Sequence, residues 1–434
     1  MSNEKIKIAI IGVGNCAKSL VEGTQYYIQH PEDKIGLTFP DIGGYTVNNL
    51  EFVVGFDVDR RKIGKWLGDA LRSKPNCAMN HVEKIDNTCV PESARCYAVP
   101  LFDGVAPHML AYPEEVTFSP YDPEEVTPLT KDEIVRILKE TEATVLVNYL
   151  PVGTEEGSRF WVDIALEAGL HFVNCIPTLI GTDETKQIEQ RFIDAGLTIV
   201  GSDMRSIWGA SRMSEVLQGA MLDAGLYITQ HIQMNMAAGS TQGQENVRTG
   251  RSSNTDFANM KYASRLKNKH ISKENVLKGQ NTVRGQGIEG TTLFAGPSLV
   301  IEQKPGGQYI GTDQKIANFD IVAYGFAGAR YELTARLAVQ DSANSAGIVI
   351  SAVRFCKVAS EMGIVGFLRG PSAFTQKTPP VQLTSADALY ECMALARKQL
   401  TKLTEPQLKE NDPKAENLEY TEQFAETDYT SYRK

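Results

Sequence analysis

The chain has 434 residues, a formal net charge of −9, 22% charged and 42% hydrophobic residues, 36 Gly, 19 Pro and 7 Cys. This composition excludes a collagen-like polymer, a disulfide scaffold and a wholly disordered chain, and at about 100–200 residues per domain it predicts two or three domains. Acidic side chains outnumber basic ones, 53 to 44, which argues against a nucleic-acid or anionic-membrane partner, since such surfaces are held through many Lys and Arg contacts to phosphates.

The amino terminus, MSNEKIKIAIIG, carries charge early and only a short apolar run, unlike a secretory leader. No apolar stretch reaches the roughly 18 residues that span a bilayer. A cytoplasmic protein is expected. Cys16, Cys77, Cys89, Cys96, Cys175, Cys356 and Cys392 are odd in number, scattered and never in CxxC spacing, which fits a reducing compartment. Cys77, Cys89 and Cys96 fall near His81 and His108, but their gaps match no zinc pattern.

Lys5 to Ile11 reads as a buried strand that runs into GVGNCAKSLVEGTQYYIQH, whose apolar positions recur at helical spacing. Residues 51–58, EFVVGFDV, form a second buried strand carrying Asp57, and DRRKIGKWLGDALRS after it is helix-like. Then come the helix KDEIVRILKETE, the strand ATVLVNYL, the helix GSRFWVDIALEAG, the strand HFVNCIP, a further helix and the strand LTIVGSD. Helices alternating with continuous apolar strands predict an α/β fold, a Rossmann-like doubly wound parallel sheet beginning within residues 1–204. Residues 31–50 and 75–125 interrupt it as long irregular segments.

After the helix SRMSEVLQGAMLDAG the texture changes to YITQHIQMNMAAG, then the polar run STQGQENVRTGRSSN, then strands near 291–302 and 317–339. Their period-two alternation predicts a half-exposed antiparallel sheet in an α+β domain over 205–340, inserted into the first. From Ser345 an apolar helix returns to the first sheet, so 341–434 completes it and ends in an acidic, polar tail.

Gly12, Gly14 and Ala17 give GxGxxA between a strand and a helix, where a dinucleotide fingerprint belongs. Gly12 permits the tight turn, Gly14 admits a pyrophosphate, and the helix opening at Asn15 and Cys16 offers free N–H donors. Asp57, at the end of the second strand, suits the ribose hydroxyls of NAD. Arg60 and Arg61 keep NADP open. Lys269 and Lys273, four residues apart in NKHISKEN, share one helix face, where like charges repel mildly; a solvated face explains such a pair equally well. Lys315 and Lys377 are single lysines in turn-rich contexts. The six histidines form no HxxxH or His–carboxylate pattern, so neither a metalloprotease nor a hydrolase triad is indicated.

GVGNCAKSLVEGTQYY, NYLPVGTEE, VGSDMRS, NTDFANM followed by ISK, DSANSAG and SAFTQKTPPVQL occur in this order across about residues 5–385. Together they resemble the inositol-phosphate synthases of bacterial and archaeal type. The resemblance implies cyclisation of glucose 6-phosphate to inositol phosphate, through oxidation at carbon 5, enolisation, aldol closure and re-reduction with a tightly held NAD, in a homotetramer built on the second domain. It implies Lys269, Lys273, Lys315, Lys377 and Asp203 as catalytic residues. It places Asn148, Pro151, Asp203, Ser206 and Asp341 with Gly12, Gly14, Asn15, Cys16 and Asp57 at the cofactor, and Ser206, Asn254, Lys273, Lys315 and Lys377 at the substrate. Residues 239–252 are a polar insertion relative to that family. Lys269 is the expected acid–base group, its closeness to Lys273 lowering the pKa of one of the two, with Lys315 and Lys377 stabilising oxyanions. No metal motif stands out. A plain NAD-dependent dehydrogenase that releases NADH shares the same two-domain plan.

Overall fold

The computed structural model describes residues 4–104, 114, 117–180, 186–238, 263–285, 291–301 and 313–399. The segment IKIAII forms β1 (Ile6–Ile11). Ile6, Ile8 and Ile10 enter one hydrophobic cluster and Ala9 and Ile11 another. A strand apolar on both sides must be covered on both sides, which is why its pattern is continuous rather than alternating.

Around β1 lie β2 (Leu50–Asp57), β3 (Arg95–Ala98), β4 (Val145–Asn148), β5 (His171–Asn174), β6 (Thr198–Val200) and, from far along the chain, β11 (Gly366–Phe367). The seven strands run parallel in the order β11-β6-β5-β4-β1-β2-β3. One face is covered by α1 (Asn15–Gln29) and α8 (Asp341–Glu361), the other by α3 (Lys131–Glu140), α4 (Glu155–Ala168) and α5 (Lys186–Asp194). The order reverses between β1 and β4, and a crevice opens beyond their carboxyl ends, the usual ligand position of such sheets.

Between β6 and α8 the chain builds a second sheet. It contains β7 (Tyr227–Ala238), β8 (Thr292–Ile301), β9 (Gln314–Tyr324) and β10 (Arg330–Gln340), in the order β10-β9-β7-β8. The helices α6 (Ala210–Asp223) and α7 (Ala263–Val283) accompany it. The expected antiparallel sheet is mixed: β7 pairs parallel with β8. The intervening α7 makes the connection a crossover, which parallel pairing requires. The stretch 317–339 folds as an antiparallel hairpin of β9 and β10.

Three further boundaries differ from expectation. The helix after Asp57 is only α2 (Leu67–Arg72), because residues 59–65 turn and pair with the Cys96 backbone through Gly64 N–H to Cys96 O and Cys96 N–H to Lys65 O. The irregular segment 75–125 contains β3. The return helix begins at Asp341, before its apolar stripe does, with that carboxylate in its first turn. The helices α9 (Arg369–Thr375) and α10 (Ser385–Ala396) follow it. Asn254, the 239–252 insertion and the 404–434 tail lie outside the described residues.

Candidate active site

The glycine turn is held by its neighbours. Gly12 has φ +83°, its N–H donates to Phe56 O at 2.9 Å, and a Cβ there would sit 2.5 Å from Tyr149 O. Only glycine fits. A Cβ on Gly14 would meet nothing within 4 Å, so the backbone at the start of α1 faces open space, as a pyrophosphate cradle requires. The cavity beside it is lined by Gly12, Gly14, Asn15, Cys16, Asp57, Lys62, Phe102, Pro151 and Trp161, among others. Asp57 lies at its wall, and its carboxylate accepts from Val13 N at 2.8 Å, Val58 N at 2.8 Å, Asp59 N at 2.9 Å and Lys62 Nζ at 3.0 Å.

Arg60 and Arg61 do not line this cavity. Arg60 donates to Ser119 Oγ and Glu114. Arg61 grips Asp59 and the Thr117 carbonyl. Asn15 lines the wall, but its side chain is engaged with Cys77, whose N–H it accepts at 3.1 Å. Asn148, expected at the cofactor, lines neither cavity. Its amide donates to Ser158 Oγ at 3.2 Å and Asn174 Oδ1 at 3.0 Å, and accepts Leu150 N–H at 3.1 Å. Asn174 in turn donates to Ile176 O, Thr178 O and Ser202 Oγ. This buried network sits beneath the loops that leave β4, β5 and β6 and fixes them.

A second cavity meets the first at Cys16 and Tyr149–Pro151. It is lined by Lys269, Lys273, Lys315, Lys377, Asp203, Asp341 and Ser206, with Gln233, Asn235 and Gly209. The segments 202–205 and 375–378 pair like two short strands: Ser202 and Thr378 exchange N–H···O bonds at 3.0 Å each, Lys377 N donates to Asp203 O and Arg205 N to Thr375 O, both at 2.8 Å. That pairing brings Asp203 to Lys377. Asp203 stands at φ +62°, a strained backbone for a non-glycine residue. Its Oδ1 accepts from Lys269 Nζ at 2.7 Å and Lys377 Nζ at 3.0 Å, while Oδ2 finds no partner among the described residues.

Lys269 and Lys273 do face the same way from α7, which is docked on the 377–383 segment by Thr378 to Ser272 at 3.0 Å and by Asn275 to Lys377 O at 2.9 Å. Lys315 is not in a turn but near the start of β9, opposite Val339. Its ammonium lies 2.7 Å from both oxygens of Asp341 at the start of α8.

The electrostatics separate the lysines. Burial, reinforced by the charges of Lys269, Lys315 and Lys377, drives Lys273 well below the ordinary lysine pKa. Burial also pushes Lys377 down to about 7 against the pull of Asp203. For Lys269 burial is outweighed by Asp203, which holds the ammonium above its usual pKa. Burial would raise Asp203 and Asp341, but the paired lysines prevail and hold both carboxyls low. The lowered member of the Lys269 and Lys273 pair is therefore Lys273, because Asp203 reaches Lys269. Asp313, which sequence reasoning missed, is pushed up to about 7 by burial and by Asp341. It accepts the Ser342 hydroxyl at 2.7 Å; its position two residues before Lys315 was the available signal. Among the described residues no group of three or more His, Cys, Asp or Glu could hold a metal ion.

No sequence profile of a known protein family matches the chain. Individual proteins do. The chain is 34% identical over 389 residues to the inositol-3-phosphate synthase of Corynebacterium glutamicum, covering 88% of this chain and 96% of that one. The chain belongs to the inositol-3-phosphate synthase family. The synthase of Mycolicibacterium smegmatis is likewise 34% identical, over 89% of this chain and 96% of its own. A solved myo-inositol-1-phosphate synthase-related protein of Thermotoga maritima superposes with a TM-score of 0.67 at 19% identity, covering 91% of this chain and 98% of that one. This agrees with the fold expected for a synthase of the family. Among the described residues no helix is long and apolar enough to cross a membrane.

Proposed function

We propose that the chain converts D-glucose 6-phosphate to 1L-myo-inositol 1-phosphate, also named 1D-myo-inositol 3-phosphate, using NAD that is regenerated within each turnover. The observation that carries this reading is the junction of the glycine-turn groove with a pocket of four lysines, the buried Asp203 and the half-buried Asp341. A sugar phosphate placed there would present its phosphate and its oxygens to lysines. The open face of Gly14, the wall at Asp57 and Asp203 Oδ2, without a partner among the described residues, fit a dinucleotide whose nicotinamide end reaches the junction. With Arg60 and Arg61 turned away, these residues suit NAD. Bound there, the cofactor would accept and return a hydride.

The remaining work falls to the chain's own groups. Each step develops negative charge on a substrate oxygen, and preorganised cations in a dry pocket stabilise such charge strongly. Lys269, held above its usual pKa by Asp203, and Lys315, paired with Asp341, are placed for this purpose. Lys377, with its pKa near 7, is the group able both to take and to return a hydroxyl proton near neutrality. This assigns acid–base work to Lys377 rather than to Lys269. Ser206, Gly209 and Ala210 line the pocket at the amino end of α6, which suits the substrate phosphate. Lys273 faces the same pocket, and a phosphate dianion beside it would restore its charge.

The body formed by residues 1–204 and 341–434 would carry the cofactor, and the inserted 205–340 would carry the lysines of α7 and β9 and join copies in a homotetramer. Met234, Tyr324, Phe326 and Tyr331 are exposed apolar groups of the second sheet and its hairpin, and they support such an assembly. Among the described residues no disulfide joins any of the cysteines, in keeping with the cytoplasm. The test is incubation of the purified protein with glucose 6-phosphate and a trace of NAD. Inositol phosphate forming in excess of the NAD, without growth of NADH absorbance, is the expected result. NADH accumulating in step with an oxidised sugar phosphate would replace this reading with that of a dehydrogenase.

A further inference from the structure

One strand of the second sheet inverts the usual order of polar and apolar groups. Successive side chains of a strand point to opposite faces. In β7 the buried face carries His231, Gln233 and Asn235, at 0%, 2% and 1% exposure, while Met234 among them is 42% exposed. Hydrophobic burial alone would place them the other way round, and such inversions are kept where a site needs them. The three residues form a row with Ser214 of α6. His231 Nε2 lies 3.2 Å from Ser214 Oγ, the Ser214 hydroxyl donates to Gln233 Oε1 at 2.7 Å, and Gln233 Nε2 donates to Asn235 Oδ1 at 3.1 Å. The last group of the row, Asn235 Nδ2, is buried and finds no partner among the described residues. Gln233 and Asn235 line the lysine cavity, whereas His231 and Ser214 stand behind them.

Counting protons gives the row a direction. Ser214 has one hydroxyl proton and gives it to Gln233, so His231 must donate to the serine from Nε2. Burial lowers the His231 pKa to about 4, and a neutral imidazole carries a single N–H. Nδ1 is then a bare acceptor, and it is the ring nitrogen without a partner among the described residues. Reversing every bond would bury an Nδ1–H with no acceptor and would turn the Asn235 oxygen toward the cavity. In the observed direction the row ends in an N–H donor. Asn235 stands opposite Ala317 of β9, and Lys315 is two residues away on the same face. Both Asn235 and Lys315 line the cavity, so amide and ammonium serve one corner of it.

We infer that Ser214 and His231 are positioning residues: they fix the polarity of this row so that Asn235 presents an N–H donor to a sugar oxygen that gains negative charge beside Lys315. The inference rests on the cyclisation reading of the pocket and deepens it. Ser214 and His231 act through Gln233 and Asn235 rather than on the substrate. Without the Ser214 hydroxyl the Gln233 amide is free to turn over. Asn235 then follows it and presents its carbonyl oxygen, which repels the developing charge.

A double-mutant cycle on the full-length protein tests this, with kcat and KM for glucose 6-phosphate read from inositol phosphate formed at saturating NAD. Asn235→Ala removes a donor to a developing oxyanion and should lower kcat about 10²-fold. Ser214→Ala should lower kcat about tenfold with KM changed less than about threefold, and the double variant should be no slower than Asn235→Ala, because residues acting through one group are not additive. His231→Gln keeps an N–H donor and should retain kcat within about threefold, while His231→Leu should fall toward the Ser214→Ala value. If Ser214→Ala does not fold, Ser214→Cys keeps the shape with only a weak S–H donor and takes its place in the cycle. Losses that multiply in the double variant, or an unchanged kcat in Ser214→Ala or Asn235→Ala, overturn the positioning role while leaving the cyclisation reading intact. A wild type that forms no inositol phosphate overturns that reading instead, and this inference with it.

Discussion

Replacing Asp203 by Asn removes the one negative charge shared by Lys269 and Lys377 while keeping the side chain's shape. At an effective dielectric constant of about 20, a unit charge 2.7 Å from Lys269 Nζ and 3.0 Å from Lys377 Nζ is worth about 6 and 5.5 kcal/mol. Rearrangement and entering water cancel much of this, yet a surviving quarter is about one pK unit. The sign is fixed: losing the carboxylate disfavours both ammonium forms, so the Lys377 pKa falls from about 7 and neutral amine persists to lower pH. In the pH profile of kcat for glucose 6-phosphate cyclisation, the acidic limb should move down by about one unit or more, with the plateau reduced about 10²-fold as an electrostatic partner is lost. The ligand-free variant should also be less stable, by about 3–5 kcal/mol for unpaired buried cations. Inorganic phosphate should raise its thermal midpoint more than that of the wild type. An unshifted acidic limb together with an unchanged midpoint would refute the argument.

Gly12→Ala forces a Cβ to 2.5 Å from Tyr149 O at φ +83°; about 1–3 kcal/mol of stability should go, along with most NADH binding, as read by denaturant melts and fluorescence titration. Asn148→Ala strands the Leu150 N–H and Asn174 Oδ1, and the urea midpoint should report a loss of about 1–3 kcal/mol. Equal midpoints would show that the network under the loops is dispensable. Asp313 keeps its proton in the folded protein up to about pH 7, whereas an unfolded aspartate releases it near 4. Its contribution is therefore full below pH 4 and is lost as pH rises through 7. Thermal midpoints of the wild type should consequently fall relative to Asp313→Asn between pH 5 and pH 8, and parallel curves would contradict the raised pKa.

The first sheet was legible because its signal is local. Residues such as Ile6 to Ile11 are apolar without alternation, and a glycine turn follows them directly. β3, with the polar Arg95 and half-buried Tyr97, carries no such run and was lost in an irregular segment. The parallel pairing of β7 with β8 was hidden because register between distant strands is not written in either one. The lysines show the same divide. Each sits in an unremarkable local context, and only the family motifs grouped them. What no motif carries is which lysine loses its proton, since that depends on Asp203 meeting Lys269 and Lys377 through the 202–205 and 375–378 pairing. Asn148 illustrates the converse, a motif residue whose side chain is spent on holding loops.

The parallel sheet is closed by a strand made very late. β11 lies beside β6, and α8, with Ile348, Val349, Val353 and Phe355 buried against the sheet, forms much of one face. A nascent chain that has emerged only as far as β6 therefore exposes the apolar surface that α8 will cover, while the whole second sheet is still to be synthesised. Folding of the first-sheet half must wait for nearly the entire chain to leave the ribosome. Fragments ending near residue 204 should accordingly be insoluble, whereas an internal deletion that joins α8 and β11 directly after β6 is the form in which that half could fold alone.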